Sequence, residues 1–230
     1  MLETGRTRDS EVMVKRIYPL LAGCGMVLAV ATVVAAQVGG EPSLDPVSMT
    51  ISQYAARDDG GVIETAMAVL GLASLALLAG MRAVHAPVDG WPARLIGLWS
   101  ASLIGAAVIP SDTSWQGDLH GLLSAAAFVS VPAAAIQLVG RLGQDERWQV
   151  VARPLEWLAL ASGLGLAAIT YVALPGHGVM IGLVERLLLA AEVSVLGLLA
   201  LRLVQLTWGR RPASGTAAVM PISAGRPSAS

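Results

Sequence analysis

Pro110-Ser-Asp-Thr-Ser-Trp-Gln-Gly-Asp-Leu-His-Gly121 is a short polar stretch between two long apolar runs. It carries Asp112, Asp118 and His120, side chains that are costly to place next to hydrocarbon. Read as a turn at a membrane surface, it makes the apolar runs on either side two consecutive spans.

The totals of the chain support that reading. Of 230 residues, 55% are hydrophobic and 13% charged, with a mean hydropathy of +0.66. Soluble domains carry about 25% charged residues, so lipid must replace water around much of this surface. The net charge of −1 gives no overall attraction to nucleic acid. Cys24 is the sole cysteine; an internal disulfide is excluded, and it is expected to pack as a small hydrophobe. Lys15 is the only lysine, and the Arg-, Ala- and Gly-rich composition points to a bacterial source.

Six apolar runs are expected to span, at about 17–38, 62–81, 92–109, 119–139, 154–174 and 179–206. The fold class is therefore all-α, a polytopic transmembrane helix bundle. Residues 1–16 form a polar N-terminal segment, 17–208 the bundle, and 209–230 a Pro-, Gly-, Ser- and Ala-rich tail expected to be disordered. The first run could instead be a cleaved signal peptide, with Val34-Ala35-Ala36 as the cleavage site. It is longer than the usual apolar core of such a peptide and follows Glu3, Asp9 and Glu11, so retention is the expectation. Between the first two runs, residues 48–56 suit a short interfacial helix anchored by Met49, Ile51 and Tyr54. The third run is the shortest, and Trp91-Pro92 opens it. Pro154 opens the fifth.

Six spans put both termini on one side, and basic residues choose the side. Thirteen of the fifteen fall on the face of the termini, Arg57 falls on the other, and Arg186 lies inside the sixth span. The termini are thus expected in the cytosol of a bacterial cell, with the chain in its plasma membrane and the polar stretch facing outward. Trp91, Trp148, Trp157 and Trp208 fall near the cytosolic boundary and read as interfacial belt residues. Small residues four apart, as at Gly25 and Ala29, Gly121 and Ala125, and Ala161 and Gly165, suit close helix packing.

With this topology the ionisable residues gather on the outward half. Asp112, His120, Glu185 and Arg186 form a candidate ligand-binding set, in which Arg186 pairs with Asp112 or Glu185 and orients an anionic group. Glu192 follows Glu185 by seven residues, so the two carboxylates share a helix face. They form either a proton-relaying stair or, with Glu192 bonded to Ser124 or Thr170, a tie between helices. The plainer reading of Asp112, Asp118 and His120 is an outward loop, with Asp118 capping the fourth span. A third reading is a zinc site built from Asp112, His120 and His177. It lacks a compact motif such as His-Glu-x-x-His, and no cofactor is expected outside it. No Gly-rich phosphate loop or Gly-x-Ser-x-Gly elbow is present.

Three places resemble a family of bacterial and archaeal six-span membrane proteins known as domain of unknown function 998. They are Ser48-Met-Thr-Ile-Ser-Gln-Tyr54, Ile109-Pro-Ser-Asp112 followed by His120-Gly121, and Gly182-Leu-Val-Glu-Arg-Leu187. The resemblance covers roughly 18–208. It implies a six-helix integral membrane protein and supplies no reaction. It points at Asp112, His120, Glu185 and Arg186.

The expected role is non-enzymatic: an outward pocket that binds a small or lipid-like molecule, within a transporter, sensor or accessory subunit. The alternative is a membrane-embedded metal-dependent hydrolase using Asp112, His120 and His177. A structural partnership with another membrane protein is a third role, and the bilayer is the one partner common to all.

Overall fold

The computed structural model describes residues 3–39, 45–55, 61–109 and 114–209, and side chains in those ranges other than 3–15, 39, 54 and 55. Asp112, Arg57, the Tyr54 anchor and the tail from 210 onward lie outside the described residues or side chains. Among the described residues there are seven helices and no strand. They are α1 (Glu3–Gly39), α2 (Ile51–Ala55), α3 (Val62–Ala83), α4 (Trp91–Val108), α5 (Ser114–Gly143), α6 (Gln149–Ala173) and α7 (Ile181–Trp208).

Five of them are long and apolar enough to cross a membrane: α1 over Arg16–Val38, and α3, α5, α6 and α7. Helix α4 is not among these. Its 18 residues rise ~27 Å, and Trp91, Pro92, Arg94, Ser100 and Ser102 dilute its apolar character. It nevertheless lies in the bundle, packed on both α3 and α5.

Consecutive long helices pack on one another, and α7 closes the ring against α1 while also touching α3 and α5. From α3 onward the links are short, which fixes those neighbours as antiparallel. The core runs through Met26 of α1, Leu77 of α3, Trp99 of α4, Leu138 of α5, Leu155 of α6 and Leu199 of α7. Small residues set the spacing where backbones come close. A Cβ on Gly25 would sit 2.8 Å from the Ala73 Cβ, and one on Gly71 2.9 Å from the Ser100 carbonyl. Gly165 faces Leu188 in the same way. Gly121 is exposed and meets nothing within 4 Å, so the pair it makes with Ala125 is not a packing site.

The cytosolic end expected from sequence is a knot of arginines clasping carbonyls. Arg147 donates to the carbonyls of Val84 (3.0 Å) and His85 (3.1 Å) and pairs with Asp145 at 3.0 Å. Arg202 donates to the carbonyl of Arg147, and Arg141 to that of Asp89. The carbonyls just past the end of α3 are satisfied this way, by one side chain from the α5–α6 link. Trp91, Trp157 and Trp208 are exposed, each under an arginine at 5.3–5.9 Å. Trp148 departs from the belt reading. It is fully buried, because the turn between α5 and α6 aims it into the core.

Two helices begin differently from the apolar pattern. Helix α5 starts at Ser114, five residues ahead of the expected span, so the second half of the polar stretch is helical. Asp118 therefore lies inside α5, exposed, and is not its cap. Helix α6 starts at Gln149, which puts Pro154 within it rather than at its opening.

Candidate functional site

The segment between α1 and α3 is built locally. Asp45 accepts from the Val47 N–H (3.0 Å) and the Ser48 hydroxyl (2.8 Å), an Asx turn. Those two donors hold its carboxyl below the usual range. Thr50 and Gln53 cap α2 reciprocally, each accepting the other's backbone N–H at 3.1 Å. The turn and capping box shape residues 45–53 into a compact unit that presents the carbonyls of Pro46, Val47 and Met49 to α7.

The start of α7 uses them. Leu183 N–H donates to the Val47 carbonyl (3.1 Å). Arg186 Nη1 donates to the carbonyls of Pro46 (2.8 Å), Met49 (2.8 Å) and Gly182 (2.9 Å), and its Nε to Gln37 Oε1 of α1 (2.9 Å). Glu185 is buried, and its Oε2 accepts the Ile51 N–H at 2.5 Å. Gly182 makes this seating possible: a Cβ there would lie 2.1 Å from the Met49 carbonyl oxygen. Arg186 makes no ion pair with Glu185 among the described residues. The expected pairing is replaced by a clasp, in which charge-assisted hydrogen bonds hold three carbonyls and an amide. The other expected partner, Asp112, lies outside the described residues.

Beneath the clasp lies a cavity of about 470 Å³ between α1, α3, α4, α5 and α7, roofed by Ile51 and Ser52 of α2. Its volume is in the range of small-molecule sites, about 300–1,000 Å³. The wall is mostly aliphatic, with Val33, Leu70, Leu103, Phe128, Leu189 and Val193 among its residues. Its polar groups are Gln37, Ser102, His120, Ser124, Glu185, Arg186 and Ser194, besides Ser52. Three buried polar atoms on these groups have no hydrogen-bond partner among the described residues: Arg186 Nη2, His120 Nδ1 and Ser102 Oγ. Buried polar atoms are ordinarily paired, so three unpaired ones on residues that line a single cavity are uncommon.

Glu192 is fully buried and both of its oxygens lack a partner among the described residues. It is bonded to neither candidate partner: Thr170 donates to the Leu166 carbonyl (2.7 Å), and Ser124 lines the cavity. It shares the inward side of α7 with Glu185, yet only Glu185 borders the cavity. His177 is exposed, at a left-handed φ of 52° in the turn before α7, and does not border the cavity. No cluster of three metal-ligating side chains occurs among the described residues, and Asp112 of the zinc reading is not one of them.

The structure thus brings together His120, Glu185 and Arg186 on one cavity and leaves Glu192 behind it. It adds Gln37 and Ser102, which sequence reasoning passed over. Gln37 had a signal, as a lone amide at the end of an apolar run; Ser102, one of many small residues in α4, had none. The Thr50-x-x-Gln53 capping box was also there to be read. No curated protein and no solved structure matches the chain. The model of one family, described as "Protein of unknown function (DUF998)", matches residues 24–202, most of the bundle, and the chain belongs to that family.

Proposed function

We propose that this is a six-span protein of the bacterial cytoplasmic membrane, with both termini in the cytosol. Its cavity would bind a small or lipid-like molecule from the outward side, without catalysis, in a transporter, sensor or accessory subunit. Helix α4 counts as the sixth span because it is packed between two helices long enough to cross, and ~27 Å nearly covers a hydrocarbon core. The first run is retained in this reading, since Ala22, Met26 and Ala29 contribute to the core and Val33 and Gln37 to the cavity wall. Residues 17–208 form the membrane domain, with 1–16 and the tail in the cytosol.

The observation that carries the binding reading is the cavity itself, mostly aliphatic and lined by three residues with buried polar atoms that lack partners among the described residues. Polar atoms are tolerated in such a place when a ligand satisfies them. The test is saturable binding of a polarity-sensitive apolar dye to the purified protein, compared with Ser124→Trp, which fills the cavity from a half-buried position. Binding by the natural chain and its loss in the variant is the expected result. Equal binding by both, or none by either, would overturn the reading.

A further inference from the structure

We infer that the cavity takes a single-chain amphiphile whose head is an oxyanion, a carboxylate or phosphate monoester, held by Arg186; this rests on the binding reading above. The unpartnered atoms define the head. Arg186 Nη2 can only donate. A serine hydroxyl can donate, and so can His120 Nδ1 in the matching tautomer. A head that answers several donors must present several lone pairs, and an ionised carboxylate offers about four. A neutral ester or amide offers fewer, and an ammonium offers none.

The geometry of Arg186 strengthens this choice. Its Nε and Nη1 are committed to Gln37 and to three carbonyls. The guanidinium plane is therefore fixed before any ligand arrives, and Nη2 is the free tine of a rigid fork. Glu185 borders the same cavity but makes no ion pair with Arg186 among the described residues, and its Oε2 accepts the Ile51 N–H.

The rest of the wall defines the tail. Leu70, Leu103, Ala106, Phe128, Leu189 and Val193 offer an apolar lining without hydrogen-bonding side chains. A soluble anion such as acetate or inorganic phosphate would leave that lining without contacts. An acyl chain fills it, and the favourable term grows with each methylene buried. The bilayer is thus the source of the ligand, rather than the aqueous phase.

The test uses the full chain in nanodiscs of zwitterionic lipid, with nitroxide-labelled stearic acid at alkaline pH as the probe. The immobilised fraction of its spectrum reports occupancy. The labelled methyl ester, and a labelled amine of equal length, should bind roughly tenfold more weakly or worse. Unlabelled stearate and an alkyl phosphate should displace the probe, whereas acetate and inorganic phosphate should not. Arg186→Gln should erase the preference for acid over ester, and His120→Leu should reduce it without touching the clasp. Acid and ester bound equally by the natural chain, yet both excluded by Ser124→Trp, would overturn the anionic head and leave the pocket standing. Displacement by acetate as effective as by stearate would overturn the amphiphile. Absence of any immobilised probe would overturn both readings.

Discussion

At the scale of single residues, two positions have consequences that geometry fixes in advance. Gly182 meets backbone on the 45–50 segment, and backbone cannot rotate out of the way. Gly182→Ala should therefore lower stability by roughly 1–3 kcal/mol, as overpacking does. It should also raise hydrogen exchange in residues 45–53. Gly163→Ala is the control, since a Cβ there meets nothing within 4 Å; inside α6 it should be neutral or stabilising by up to about 1 kcal/mol. The second position is Asp145, between α5 and α6. The Arg147 side chain, followed by the Arg147 and Trp148 backbone N–H groups, holds its carboxyl below the ordinary 3.8. A carboxylate with a depressed folded pKa contributes fully above its unfolded value, and that contribution fades as pH falls through the lower folded one. Thermal melts below about pH 4 should show the loss in the natural chain and a shallower acid limb in Asp145→Asn. At neutral pH the variant should lose less than about 1 kcal/mol, because the pair is wet.

At the scale of elements, α3 and α4 are tied by a polar contact within an apolar interface. Trp99 Nε1 donates to Ser74 Oγ at 3.1 Å, both residues fully exclude solvent, and the hydroxyl donates on to the Leu70 carbonyl. Ser74→Ala strands the indole N–H and should cost roughly 1 kcal/mol, in the range of interhelical bonds within membranes. Trp99→Phe together with Ser74→Ala should cost less than the two singles added, since each single loses the same bond. Chemical denaturation of the four proteins in mild detergent measures the cycle, and strict additivity would count against the tie. This contact also bears on α4 as an element. Its serines and tryptophan make it read as a weak span along the chain, yet Trp99, Ser100 and Ser102 face inward, and the lipid-facing side keeps residues such as Leu98 and Val108.

At the scale of the whole molecule, the arginine clasps and the α2–α7 clasp occupy opposite ends of the bundle. One end binds carbonyls with Arg141, Arg147 and Arg202; the other has Arg186 as its clasping cation. Under the proposed topology, a cysteine at exposed Val179 should react with an impermeant maleimide on intact cells. One at exposed Gln144 should react only after permeabilisation. Both are made in a Cys24→Ser background, because Cys24 is exposed on the bundle surface. The opposite pattern would invert the bundle, and labelling of both sites from outside would remove α6 as a span.

Residue order alone was enough to show that the chain is helical and apolar and that His120, Glu185 and Arg186 merit attention. These follow from properties each residue carries alone: its hydropathy, its charge, and the cost of placing that charge in lipid. It also made the short helix after Ser48 legible, through a local pattern of a few residues. What those side chains touch emerged from the packed bundle. Arg186 holds carbonyls 137 and 140 positions away and an amide 149 away, where charge pairing alone suggested Asp112 or Glu185. The packing also decided that the helix of His120 begins at Ser114, that Trp148 is core, and that Glu192 stands behind the cavity. A cavity wall and a hydrogen-bond partner belong to pairs of residues brought together by packing, and one-dimensional hydropathy holds no term for such pairs.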